Sequence, residues 1–304
     1  MKLSFIHKPV WAVLMILLLM VSSAAAEVKI GTWRTAQTIQ PFFYHQFLDD
    51  NTPVQIIPFT NPADQKNALL AGSLVMTGTT LAHAIHSASQ GQPIVIVAAL
   101  CNRASALVVG NNSDIRQVSD LRGKTIGYVP GTMHEILLRE TLERNGLSPA
   151  TDVKLMRVDF FDMGTALARG NIDAFLSGEP FPTLAVNQGY GRIMSYPYYE
   201  DAVGTINAAM IVNRSTIESD PETVRKLVKA HIGATRWLND HPDQWLAAAA
   251  KFGTPLPILQ QAATNIELTW NMDETFINQV KTLGERMQAL GVIDRQPDYE
   301  RLFD

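Results

Sequence analysis

Several short stretches of this chain bring hydrogen-bonding or charged side chains together. Pro130-Gly131-Thr132-Met133-His134-Glu135 follows an apolar run and opens a helical pattern. The first N–H groups of a helix have no internal partner and carry partial positive charge. Beside a Gly-Thr pair they suit the oxygens of a carboxylate, sulfonate, nitrate or phosphate. Gly131, Thr132 and His134 are therefore candidate ligand contacts. Thr132 and Glu135 also have capping-box spacing, a purely structural use of the same residues, and the sequence leaves both readings open. Glu179-Pro180 places a carboxylate before another helix, where it either meets an amine, an N–H donor or an arginine, or simply favours the helix start. In "TWRTAQT", Trp33, Arg34 and Gln37 offer an apolar wall, a cation and an amide; Thr79 and Thr80 in "TGTT" offer hydroxyls, and Arg103 in "CNRAS" a second cation.

Patterns for bond-making chemistry are poor. His83 and His86 have H-x-x-H spacing but no third ligand nearby in the sequence. His134-Glu135 lacks the second histidine of H-E-x-x-H, and neither a P-loop lysine motif nor a G-x-S-x-G elbow occurs. Cys101, the single cysteine, follows the apolar run Ile94–Leu100 and reads as buried packing. No catalytic residue, metal ligand or cofactor is expected, and the chain is read as a non-enzyme.

The elements that must carry these loops come from an internal repeat. "ALLAG" at Ala68–Gly72 recurs as "ALARG" at Ala166–Gly170, Gly91 and Gly189 keep the same offset of 98, and "VKIGTW" from Val28 echoes in "KTIGYV" from Lys124. Each copy alternates short strands with helices, which predicts parallel sheets with helices on both faces. The fold class is α/β: two Rossmann-like lobes around a cleft, with the chain crossing between them near 104–111 and 202–207. From about Ile206 the pattern turns helical, with Asp220-Pro221-Glu222 as a strong helix start; this tail is expected to pack on lobe 1. The predicted divisions are residues 27–106 for the first part of lobe 1, 107–205 for lobe 2 and 206–304 for the second part of lobe 1. Ligands of such sheets bind outside the carboxyl ends of the strands, where all of the loops above lie.

Residues 1–26 read as a secretory signal peptide: Lys2 and Lys8, an apolar run Val10–Val21, then Ala24-Ala25-Ala26. The run is short for a membrane span, so a periplasmic protein is expected. The formal net charge of −4 argues against nucleic acid as a partner. No heptad is evident, and a monomer is expected.

The stretches Asp120–Ile126, Gly131-Thr132, Ala166–Ala174 and Glu179-Pro180, in that order and spacing, resemble the solute-binding proteins of ABC transporters, most of all the nitrate/sulfonate/taurine class. The resemblance covers essentially the whole mature chain. It implies a type II periplasmic-binding-protein clamshell that closes around a small anionic or zwitterionic solute and docks on an ABC permease in the inner membrane. Two alternatives stay open: a clamshell that presents its ligand to a membrane receptor, and an exported metal-dependent enzyme using His83 and His86.

Overall fold

The protein is described by a computed structural model over residues 27–49, 52–60, 62–199 and 201–303; the signal peptide read over residues 1–26 lies outside them. Among the described residues no helix is long and apolar enough to cross a membrane.

In chain order the strands are β1 (Val28–Trp33), β2 (Val54–Phe59), β3 (Met76–Thr80), β4 (Ile94–Arg103), β5 (Ser105–Gly110), β6 (Thr125–Tyr128), β7 (Lys154–Arg157), β8 (Ala174–Gly178), β9 (Gly191–Ser195), β10 (Ile206–Asn213) and β11 (Ile266–Leu268). They form two sheets, ordered β11-β4-β10-β3-β1-β2 and β7-β6-β8-β5-β9. Without β11, both follow one plan. A parallel trio (β2-β1-β3, or β7-β6-β8) is followed by an antiparallel strand and then a last strand. The 98-residue echo is therefore a structural repeat, with β3 and β8 in equivalent places.

The sheets are mixed rather than wholly parallel, and the reason is topological. A parallel neighbour requires a crossover connection, whereas β4 runs through Ala104 straight into β5, which enters the second sheet against the direction of β8. The crossing segment at 104–111 is thus itself a sheet strand. On the return, β10 enters the first sheet antiparallel to both β3 and β4. Each sheet takes its antiparallel strand from beyond a lobe crossing.

β3 and β8 are buried at every position, as strands covered on both faces must be. In the tail, the helix Pro221–Asp240 starts where the sequence places it: Asp220 accepts from the Thr223 N–H and Pro221 occupies the first turn. Its apolar stripe, including Leu227, Ala230 and Ala234, packs on Val95, Met210 and Val212 of the first sheet. Full burial of a leucine such as Leu227 stabilises by about 1.5–3 kcal/mol. The helix Glu274–Ala289 packs with Leu81–Ser89 and reaches further. Its Arg286 grips Glu140 of the helix Met133–Arg144 at 2.6 Å, behind the second sheet. The tail is not helical throughout: a short helix Leu256–Ala262 runs through a 3-10 turn into β11.

Candidate functional site

The carboxyl ends of β1, β3, β7 and β8 face one another across the gap between the sheets. After Trp33 the chain turns tightly and is pinned: the Thr38 hydroxyl donates to the Trp33 carbonyl (3.0 Å), that of Thr32 to the Thr38 carbonyl (2.7 Å), and the Trp245 indole to the Ala36 carbonyl (2.8 Å). At the end of β3, Thr80 caps the helix Leu81–Ser89 by accepting from the His83 N–H. From the other lobe, Phe160 and Phe161 sit on a 3-10 turn after β7, Gly178 ends β8 and Phe181 begins the helix Phe181–Asn187. Together they enclose a cleft of about 560 Å³, with Cys101, Asn207 and Ala208 as its floor.

One wall is aromatic. The Phe160 and Phe181 rings lie parallel within 7° at 6.1 Å, Phe161 meets Phe181 edge-on at 4.9 Å, and His134 meets Phe160 edge-on at 5.4 Å. Trp33 completes the set from the first lobe. The polar groups are neutral: the side chains of Thr35, Thr38, Thr60, Thr80 and Gln37, and the Trp33 N–H. Neither lysine nor arginine lines the cleft among the described residues. Burial pushes His134 down to about 4, leaving it uncharged at neutral pH with Nδ1 3.0 Å from the Ser105 hydroxyl. Burial raises the Cys101 thiol to about 12, so it stays protonated. The cleft lining combines aromatic rings with neutral hydrogen-bonding groups and carries no lysine, arginine or carboxylate among the described residues.

The residues singled out in the sequence separate into two groups. Trp33, Gln37, Thr80 and His134 line the cleft. Trp33 Nε1 and Gln37 Oε1 are sheltered from solvent and meet no protein partner. The other six lie outside the lining. Arg34 is exposed, and Arg103 is exposed at the β4–β5 junction in a left-handed conformation (φ 59°). Thr79 is wholly buried in β3, with a hydroxyl that meets no partner. Gly131 (φ 74°) packs under the His83 ring; a Cβ there would sit 2.9 Å from His83 Cε1. Thr132 makes no cap: its hydroxyl donates to the Val129 carbonyl (2.8 Å), and Glu135 accepts from Gly131 N–H (2.6 Å), so the capping box does not form. Glu179 is 1% exposed, accepting from the Thr183 N–H (3.3 Å) with Asn265 Nδ2 at 3.5 Å, and burial raises its pKa.

Sequence reasoning passed over Thr60, Phe160 and Phe161. They sit just after β2 and β7, the second strand of each copy. Applying the carboxyl-end rule to those two loops, as to the others, finds them. The H-x-x-H pair gathers nothing further: no group of three or more metal-binding side chains occurs among the described residues.

Comparison with known proteins adds a family and a fold. A family model described as "NMT1/THI5 like" matches residues 46–245. An Escherichia coli (strain K12) protein named for binding aliphatic sulfonates is 24% identical over 221 residues, 71% of this chain and 68% of that protein. The 4-amino-5-hydroxymethyl-2-methylpyrimidine phosphate synthase of Candida albicans (strain WO-1) is 24% identical over 230 residues, 70% of this chain and 65% of that one. Among solved structures, the alkanesulfonate-binding protein SsuA from Xanthomonas axonopodis pv. citri, bound to MOPS, superposes with a TM-score of 0.81 at 17% identity, covering 93% of this chain and 99% of that chain. The two share one fold, the two-lobed clamshell.

Proposed function

This chain belongs to the NMT1/THI5-like family, and from that premise we propose that it is a periplasmic solute-binding protein. It captures a small anionic or zwitterionic organic solute, sulfonate- or taurine-like, and delivers it to the permease of an ABC importer. Lobe 1 is residues 27–106 with 206–304, lobe 2 is residues 107–205, and the working unit is a monomer. One observation carries the reading: a cleft between the lobes with four aromatic rings on its walls and a sheltered, unpartnered indole N–H among its donors. An anionic oxygen suits Trp33 Nε1 and the threonine hydroxyls, because helix ends and neutral donors hold anions without a cation. An organic body suits the rings. Bare nitrate would leave that apolar wall uncovered, so a sulfonate with a carbon body fits better.

In this reading Trp33, Gln37, Thr80 and His134 touch the solute, with Phe160, Phe161 and Phe181 around its body. Thr132, Thr79, Gly131 and Glu179 support the walls, and Arg34 and Arg103 remain in solvent. The relative named as a synthase raises the enzymatic alternative. That alternative finds little support in the cleft, where burial keeps Cys101 protonated and His134 a weak base.

The test is a thermal-shift and calorimetric screen of the chain from Glu27 against alkanesulfonates, taurine, nitrate, pyrimidines and zinc. A ligand at 100 times its dissociation constant adds about 2.7 kcal/mol to the folded state. An organic sulfonate that stabilises the wild type and not Trp33→Ala supports the reading. Stabilisation by nitrate or zinc alone, or turnover of a pyrimidine, sinks it.

A further inference from the structure

His231 and His134 are both buried, and each faces a hydroxyl. His231 Nδ1 lies 2.9 Å from the Tyr44 hydroxyl, and its Nε2 lies 2.8 Å from the Ala99 carbonyl. A carbonyl only accepts, so Nε2 carries the ring proton and the Tyr44 hydroxyl donates to Nδ1. That chain of donors, from hydroxyl to imidazole to oxygen, is complete inside the protein.

His134 repeats the arrangement with its last member missing. Its Nδ1 is 3.0 Å from the hydroxyl of the wholly buried Ser105, and that hydroxyl has no other partner among the described residues. Were the proton on Nδ1, the hydroxyl would accept and its own hydrogen would be left buried without an acceptor, which costs free energy. The Ser105 hydroxyl therefore donates, Nδ1 accepts, and the ring proton sits on Nε2. No protein group bonds to Nε2 among the described residues, and His134 lines the cleft together with Gly178. A Cβ on Gly178 would sit 2.9 Å from Nε2, so the glycine keeps that nitrogen uncovered. Ser105 itself is firmly set. It follows Arg103 and Ala104, both left-handed (φ 59° and 66°), at the crossing between the lobes. Its N–H donates to the Tyr198 hydroxyl (2.7 Å), and its carbonyl accepts from the Asn265 amide (3.2 Å).

We propose that Ser105 is a positioning residue of the solute site: through Nδ1 it fixes His134 as a donor whose Nε2–H takes an anionic oxygen of the solute. The inference rests on the solute-binding reading and deepens it. The solute oxygen stands where the Ala99 carbonyl stands for His231. Each hydrogen bond in such a chain polarises the next, so the serine strengthens a contact it does not itself make. Trp33 Nε1 donates from the first lobe and His134 Nε2 from the second. A group with several oxygens that accepts from both joins the lobes, which ties binding to closure.

Two readouts test this, the tautomer and the affinity. Nitrogen-15 NMR of the chain from Glu27 with labelled histidine, His134 being assigned by the loss of its signals in His134→Gln, is expected to show Nδ1 bare and Nε2 protonated. The Nδ1 signal should move in Ser105→Ala, which removes its donor. Calorimetry with hexanesulfonate should give an affinity about three- to tenfold lower in Ser105→Ala than in the wild type. In the His134→Gln background, where an amide N–H replaces the ring and no tautomer exists, Ser105→Ala should cost nothing further. Melting temperatures confirm that the variants fold; should Ser105→Ala melt early, the wild-type tautomer alone decides. A proton on Nδ1 in the wild type overturns the proposal. So does an affinity that Ser105→Ala leaves unchanged, or lowers equally in both backgrounds, the second being the mark of a merely structural role. In each of these cases the solute-binding reading stands if hexanesulfonate binds the wild type and not Trp33→Ala. If neither hexanesulfonate nor any other sulfonate of the screen binds, both fall together.

Discussion

Trp33 offers the cleft two separable things, a ring and a donor. Trp33→Phe keeps most of the ring and removes Nε1–H, whose partner in the proposed complex is an anionic oxygen. Hydrogen bonds to charged groups are worth about 1.5–3 kcal/mol, so affinity for a sulfonate should fall about 10- to 100-fold while the melting temperature of the free protein barely moves. An unchanged dissociation constant by calorimetry would place the anion elsewhere. The same strand end shows why only part of the site was legible in the sequence. Trp33 and Arg34 are neighbours, and successive residues at the end of a strand point to opposite sides. With Trp33 facing the cleft, Arg34 faces water. Naming both as contacts overlooked that alternation. Thr132 misled for another reason: its spacing to Glu135 fits a capping box, but the left-handed Gly131 turns its own N–H onto Glu135 and leaves Thr132 to bond backward to Val129.

At the scale of elements, the strand–helix alternation and the repeat could be read directly, because period and spacing survive in the sequence. The antiparallel strands could not. β5 is buried at five of its six positions, and an apolar run of that length carries no mark of direction or sheet membership. β11 is three residues long and attached to the edge of β4, too short to leave a pattern. The helices Leu81–Ser89 and Met133–Arg144 meet across the lobes where His83 lies on Gly131. Glycine is required there twice over, by φ 74° and by the absence of room for a Cβ. Gly131→Ala should therefore cost at least about 1–2 kcal/mol from the backbone alone, read as a lower midpoint in urea. Because the contact joins the lobes, solute affinity should fall as well. A variant with wild-type stability would mean that His83 can swing aside freely.

For the whole molecule, the buried charge that ties its parts together is Glu140, 2% exposed and held by Arg144 of its own helix and Arg286 of the tail. Removing one partner of a fully buried pair costs about 3–5 kcal/mol. Both arginines reach solvent here, so Glu140→Gln should cost less, about 2 kcal/mol, seen in denaturant unfolding. No loss would make the tail's grip on the second lobe purely apolar. Acid should weaken the molecule as a whole. Burial lowers His83, His134 and His231 from 6.5 to about 4. The unfolded chain therefore binds their protons first, so the stability they contribute is complete above about pH 6.5 and is lost as pH falls towards about 4. The slope is at most about 4 kcal/mol per pH unit for three such groups. Glu179, raised by burial, opposes this in the same direction of titration. A flat melting temperature between pH 7 and pH 5 would show that these histidines are not buried in solution.

The strand exchange between lobes also sets an order in time. β3 and β4 are not neighbours; β10, residues 206–213 of the 304-residue chain, lies between them. A chain emerging from the ribosome amino end first has β1 to β4 early, yet cannot close that sheet until most of its length has been made. The delay is written into the topology: the second sheet, drawn only from residues 105–195, can be complete while the first still waits for its central strand.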